Sequence, residues 1–154
     1  MENKAMLMDI KRFAVHDGPG LRTTLFLKGC SLKCIWCHNP EGICRETQMA
    51  YYAHKCIGCG ECVKVCPTGA HQMTENGHTF DRTKCIFCGK CVDACLGEAL
   101  TIFGRPVDVE EAYEILTEDK LFYRDNGGAT VSGGEPLFYA DFIKELFTKL
   151  KAEG

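Results

Sequence analysis

Cys30-Ser31-Leu32-Lys33-Cys34-Ile35-Trp36-Cys37 places three thiols at spacing C-x3-C-x2-C, directly after Thr23-Thr24-Leu25-Phe26-Leu27. The near-continuous apolar character of Leu25–Leu27 reads as a strand buried on both faces, as in a parallel sheet. Three thiolates are one fewer than a structural zinc site or an iron–sulfur cube usually takes from the protein. A tri-cysteine loop at a strand end therefore points to a metal centre with one position open for chemistry. The rest of the chain can be read as serving that position.

The chain has 154 residues, 45% of them hydrophobic and 25% charged, which is the composition of a soluble globular protein with one domain or one and a half small ones. A net charge of −3 offers no basic patch, so nucleic acid is not an expected partner. No apolar run approaches the roughly 18 residues of a membrane span, so no membrane partner is expected. Met1–Asp9 lacks the apolar segment of a signal peptide, which places the chain in the cytoplasm. In that reducing compartment, twelve cysteines indicate metal binding rather than disulfides. Eleven of the twelve fall into C-x2-C or C-x3-C arrays, leaving Cys44 as an expected free thiol.

Upstream of the loop, Met8–Phe13 alternates loosely and is expected as an edge strand or hairpin arm. Asp17-Gly18-Pro19-Gly20 forces an irregular loop, and Arg22 leads into the strand. Downstream, Asp108-Val109-Glu110-Glu111 carries capping-box chemistry, and Val109, Ala112, Tyr113 and Leu116 form a helical stripe from about 109 to 118. Asn126-Gly127-Gly128 ends that segment. Ala129–Ser132 reads as a short strand broken by Gly133-Gly134-Glu135-Pro136, after which Phe142, Ile143, Leu146, Phe147 and Leu150 mark one face of a last helix. With residues 51–102 set aside, the order is strand, metal loop, helix, strand, glycine loop, helix. Such a βαβα order implies a parallel sheet with right-handed crossovers and ligands at the C-terminal strand ends. Three segments follow: 1–50, an insert at 51–102, and 103–154. Two parallel strands cannot close a barrel, so the chain is expected to be part of a longer α/β protein.

The insert is an internal repeat. Cys56-x2-Cys59-x2-Cys62-x3-Cys66 recurs as Cys85-x2-Cys88-x2-Cys91-x3-Cys95, displaced by 29 positions, and Gly60 matches Gly89. The spacing, with Pro67 after the first run, is that of bacterial dicluster ferredoxins, in which the fourth cysteine of each run reaches the other cluster. One cluster would take Cys56, Cys59, Cys62 and Cys95, the other Cys85, Cys88, Cys91 and Cys66. Leu96 stands where the second copy would usually have proline. Zinc is the competing occupant, but zinc knots separate their C-x2-C pairs by longer loops and often include histidine. A unit this small is expected to be held together by its metal.

C-x3-C-x2-C with Trp36 before the last cysteine resembles the radical SAM superfamily motif, and Gly133-Gly134-Glu135 resembles that superfamily's GGE motif. Together with His16–Arg22, Cys37-His38-Asn39-Pro40-Glu41 and the eight-cysteine insert, the whole chain from about Asp9 resembles the glycyl-radical enzyme activating enzymes. The resemblance implies the N-terminal portion of a partial (βα)6 TIM-like barrel with an inserted ferredoxin-like α+β domain. It implies three [4Fe–4S] clusters, one held by Cys30, Cys34 and Cys37 and chelating S-adenosylmethionine through its fourth iron. Trp36 would lie beside the adenine, and Gly133, Gly134 and Glu135 would hold the methionine end. An electron from a donor such as flavodoxin or ferredoxin would cleave S-adenosylmethionine to a 5′-deoxyadenosyl radical, which removes a Cα hydrogen from a glycine of a partner glycyl-radical enzyme. Asp17, Gly18, Pro19, Gly20 and Arg22 would meet that partner. The alternatives are a radical SAM enzyme with another substrate, or a dicluster electron-transfer protein whose tri-cysteine loop is structural.

Of the remaining residues, His16, His54, His71 and His78 are expected to be solvated, and His38 either structural or hydrogen-bonded near the cluster. Phe142 and Phe147 are expected in the core. Clusters at about −2, −2 and −1 would take the loaded chain from −3 to about −8.

Overall fold

The computed structural model describes residues 3–152. The chain runs through β1 (Lys4–Ala14), β2 (Arg22–Leu27), β3 (Gln48–Tyr51), α1 (Glu61–Val65), β4 (His71–Thr74), β5 (Gly77–Phe80) and α2 (Lys90–Asp93). It continues through β6 (Leu100–Phe103), β7 (Arg105–Asp108), α3 (Val109–Thr117), α4 (Lys120–Tyr123), β8 (Gly128–Gly133) and α5 (Ala140–Lys151). Two compact units result: Thr47–Phe103, and the segments before and after it. The inner unit begins ahead of the expected position 51 because β3 is one of its own strands. No helix among the described residues is long and apolar enough to cross a membrane.

The outer unit is a mixed sheet in the order β7-β1-β2-β8. β2 and β8 are parallel, from Arg22 opposite Gly128 to Leu27 opposite Gly133, as their apolar runs and the helical crossover imply. β1 breaks this direction: it runs antiparallel to both of its neighbours, β2 and β7, so β7 points the same way as β2 and β8. Of the two expectations for Met8–Phe13, the segment is a hairpin arm against β2 and not an edge strand: β1 starts at Lys4 and lies between β7 and β2. Its outer partner β7 is only four residues long and contains Pro106, which gives no strand signal in the sequence but is tolerated at an edge.

α3 and α5 cover the sheet. α3 starts where Asp108 accepts a hydrogen bond from the Glu111 amide at 2.9 Å. The Glu111 carboxylate pairs with Arg105 instead of reaching back, so only half of the capping box forms. Val109, Ala112 and Leu116 of α3 and Phe142 and Leu146 of α5 pack against Leu25, Leu27 and Val107 of the sheet. Ile143 and Leu150 close around them, while Phe147 is only half-buried. Burying one such Leu or Phe contributes about 2 kcal/mol.

A polar network ties β1 and β2 to the α3–α4 connection. Thr23 is fully buried and donates to Asp119 at 2.9 Å, and Arg12 donates to the same carboxylate at 2.6 Å and also pairs with Glu118. The Asp119 and Glu118 carboxylates raise the guanidinium pKa of Arg12, Asp119 most strongly. Asp119→Ala strands a buried hydroxyl and a half-buried guanidinium, and should cost about 2 kcal/mol in urea unfolding of the metal-loaded chain; a loss below about 0.5 kcal/mol would show the network to be ornamental.

The inner unit holds two antiparallel strand pairs, the β4–β5 hairpin and the pairing of its first strand β3 with its last, β6. Its core is small: Met49, Cys91 and Leu100 form its buried cluster, and three of the eight partly buried residues packed against them are cysteines, Cys62, Cys85 and Cys95. α1 and α2 each start from a glycine in the left-handed region, Gly60 at φ 74° and Gly89 at φ 80°, a conformation that side chains rarely adopt.

Candidate metal centres

Two cavities in the inner unit are lined by thiols. One gathers Cys56, Cys59, Cys62 and Cys95, with Tyr51 and His78 in its wall. The other gathers Cys66, Cys85, Cys88 and Cys91, with Met49 and His71. Each cavity therefore takes three cysteines from one run and the fourth from the other. The reason is local: each x3 step runs along a short helix, α1 or α2, which holds the third cysteine and carries the fourth away from the loop of the first two.

The donor chemistry fits a four-thiolate cluster in each cavity. Backbone amides are aimed at sulfur, from Ala70 to Cys66 and from Ala99 to Cys95 at 3.2 Å each, and from Phe87 to Cys85 at 3.4 Å. Burial pushes Cys91 up to about 11 and also raises Cys62, so these thiols are held protonated until a metal takes the proton's place. Burial acts in the same sense on Cys66, but bonds from the Thr68 hydroxyl and the Thr68, Ala70 and His71 amides outweigh it and bring that thiol down to about 7. The Tyr51 hydroxyl bonded to Cys56 lowers that thiol too.

His71 and His78 are not the solvated residues expected. His71 is 1% exposed, its Nδ1 lies 2.9 Å from His78 Nε2, and its ring stacks on Phe80 at 4.8 Å. A ring nitrogen of each histidine and the Cys62 Sγ lie within 4.8 Å of one another. His16 and His54 are exposed as expected, and so is His38. The repeat itself carried the missing signal. Shifting by the same 29 positions superposes β3 on β5 and β4 on β6, and puts His71 and His78 on Leu100 and Met49, two core residues.

In the outer unit, the tri-cysteine loop leaves the C-terminal end of β2 and the Gly133–Glu135 loop leaves the same end of the adjacent parallel strand β8. Backbone bonds join them: Gly134 N donates to Leu27 O and Glu135 N to Gly29 O, both at 2.7 Å. The glycines are needed because backbone lies against backbone. A Cβ on Gly133 would stand 2.4 Å from Leu27 O, and one on Gly134 would stand 2.3 Å from Gly29 O. The loop is also held from behind, by Gly29 N to Gly42 O, Cys30 N to Ile43 O, and the Tyr139 hydroxyl to Lys28 O at 2.8 Å. The Lys28 side chain is fully buried with Nζ on Glu41 O, and burial lowers its pKa. Cys30 and Cys34 are half-buried and Cys37 is exposed, while Ile35 and Trp36 stand 95% and 74% exposed. The Glu135 carboxylate accepts from Leu137 N at 3.0 Å, capping the turn into α5.

The Asp17–Arg22 segment is fastened to β2 and β8. Arg22 donates to Thr130 Oγ1 and Ala129 O at 2.6 Å each and to Pro19 O at 3.0 Å, and Asp17 accepts from Thr24 at 2.9 Å. A Cβ on Gly20 would meet Asn126 at 2.6 Å, whereas Gly18 and Pro19 face solvent. Cys44 donates to Glu46 at 2.6 Å, as a free thiol can.

Residues 55–100 match a family model described as a 4Fe-4S dicluster domain. Over 97% of its length the chain is 47% identical to the benzylsuccinate synthase activating enzyme of Thauera aromatica, covering 47% of that protein. It is 43% identical to the indoleacetate decarboxylase activating enzyme of Tractidigestivibacter scatoligenes, with 95% of the chain and 50% of the relative aligned. This chain is a homologue of the glycyl-radical enzyme activating enzymes. The choline trimethylamine-lyase activating enzyme of Oleidesulfovibrio alaskensis, 40% identical, is matched by 100% of the chain over 51% of its own length. The chain spans about half the length of the curated relatives it matches.

Two outcomes follow from this geometry. Chelating the iron from the loaded chain should expose the amides of Thr47–Phe103 to rapid hydrogen exchange while α3, α5 and β2 stay protected, because the inner unit has only a small apolar core and the outer unit a larger one. Uniform loss of protection would contradict that division. Gly134→Ala should force the two loops apart and lower iron incorporation by about a third, with the insert's eight thiols still loaded; full iron content would show that the loops need not touch.

Proposed function

We propose that this chain carries the cluster-binding and S-adenosylmethionine-binding part of an activase for a glycyl-radical enzyme, acting in the cytoplasm. In this reading the outer unit is the first portion of a partial (βα)6 barrel, and Thr47–Phe103 is a ferredoxin-like insert. Cys30, Cys34 and Cys37 hold one [4Fe–4S] cluster. Cys56, Cys59, Cys62 and Cys95 hold a second, and Cys66, Cys85, Cys88 and Cys91 a third. The observation that carries the reading is the pairing of Gly134 and Glu135 amides with Leu27 and Gly29 carbonyls, which sets a glycine loop beside a tri-thiol loop at one end of two parallel strands.

A cluster held by Cys30, Cys34 and Cys37 would supply the electron for reductive cleavage of S-adenosylmethionine, and so the radical chemistry by which a Cα hydrogen would be taken from the partner's glycine. The chain's own residues orient and shield that chemistry. Three cysteines leave one iron without a protein ligand. The Gly133–Glu135 loop offers backbone and carboxylate acceptors suited to the cofactor's ammonium group. The exposed Trp36 ring offers a flat face for the adenine. Gly18 and Pro19, presented on a segment that Arg22 and Asp17 lock to the sheet, are the surface offered to the partner's glycine loop. The insert relays electrons from a small donor such as a flavodoxin or ferredoxin.

Anaerobic reconstitution tests the reading. About twelve irons per chain are expected, with an electron paramagnetic resonance signal that changes on adding S-adenosylmethionine. Cys30→Ala should abolish that change and leave about eight irons. About eight irons and no response in the unaltered chain would instead mean a dicluster electron-transfer protein.

A further inference from the structure

The inner unit is symmetric in backbone and asymmetric in side chains. The displacement of 29 positions that relates the cysteine runs also carries β3 onto β5 and β4 onto β6, with matching registers: Tyr51 faces Leu100 as Phe80 faces His71. The amide bonds to sulfur are duplicated as well, since Ala70 to Cys66 and Ala99 to Cys95 are both 3.2 Å. The polar side chains break the symmetry. Tyr51 and His78, both in the wall of the Cys56 cavity, correspond to Phe80 and Met49 in the other half, and His71 corresponds to Leu100.

Resting on the reading that both cavities hold clusters, we propose that the cluster of Cys56, Cys59, Cys62 and Cys95 has the higher reduction potential of the two, because Tyr51 and His78 donate hydrogen bonds to its sulfurs. The hydroxyl of Tyr51 bonds Cys56. His78 Nδ1 is the buried side-chain nitrogen or oxygen without a partner among the described residues. Its other nitrogen faces His71 Nδ1 at 2.9 Å, so when His71 donates there the His78 proton sits on Nδ1. Sulfide and thiolate only accept, so a cluster in this cavity supplies the partner that Nδ1 lacks. Reduction adds one negative charge, and donors to sulfur stabilise it. The other cavity opposes this with one side-chain donor, Thr68, at 3.6 Å from Cys66. It also contains Cys91, the buried thiol of the eight, and burial disfavours added charge.

The test uses the reconstituted chain labelled with 15N-histidine. Iron, sulfide and zinc are quantified first; fewer than about eight irons, or zinc bound by Cys62, His71 and His78, overturns the cluster reading and this inference with it. With clusters present, the first of the insert clusters to be reduced in a poised titration should show a histidine nitrogen and an exchangeable proton by electron–nuclear double resonance. The double variant His71→Leu/His78→Met, which places the second half's own core residues in the first, should lose both couplings and move that first wave to more negative potential while the second stays. Tyr51→Phe should move the same wave in the same direction. A first-reduced cluster with no histidine coupling in the unaltered chain overturns the inference, as do waves that stay put or shift together in the variants.

Discussion

The outer unit depends on a place where two chain segments come closer than any side chain allows. At the ends of β2 and β8 the backbone of Gly133–Glu135 lies on that of Leu27–Gly29, leaving a hypothetical Cβ only 2.3 or 2.4 Å from a carbonyl oxygen. The parallel register from Arg22 to Leu27 delivers the two loops to that point, and the hydrophobic packing of α3 and α5 keeps the register. Glycine at Gly133 and Gly134 is thus explained first by protein against protein. An approach to a ligand would add a second demand on the same residues.

In the inner unit the governing constraint is scarcity of apolar material. A core cluster of Met49, Cys91 and Leu100 cannot offset the entropy of ordering a segment of this length, at roughly 1–2 kcal/mol per residue for the backbone alone. Thiols fill the positions that a larger domain would give to aliphatic side chains. Folding and metal binding are then one event, and raised thiol pKa values such as that of Cys91 mean that protons must leave as metal enters.

Much of this was legible in the residues. Spacing separated the cysteines into runs, periodicity located α3 and α5, and the Asp108 cap marked a helix start to within a residue. What escaped was set by long-range partners. β7 is four residues with a proline, so only its pairing with β1 defines it as a strand. The Thr23–Asp119–Arg12 network joins residues up to 107 positions apart that carry no local pattern. His71 and His78 were misplaced because an isolated histidine usually belongs to the surface. Extending the repeat beyond its cysteines would have put them opposite Leu100 and Met49.

The pairing of β3 with β6 also bears on how the insert came to be where it is. Gln48 lies opposite Phe103, so the inner unit begins and ends on neighbouring strands. A long excursion whose two ends are already side by side asks of its host only the closure of a short span, and loop entropy rises slowly with what lies between. Such a unit is portable. It can be gained, lost or exchanged between two adjoining positions of a host chain without lengthening the path that the host's own strands must close.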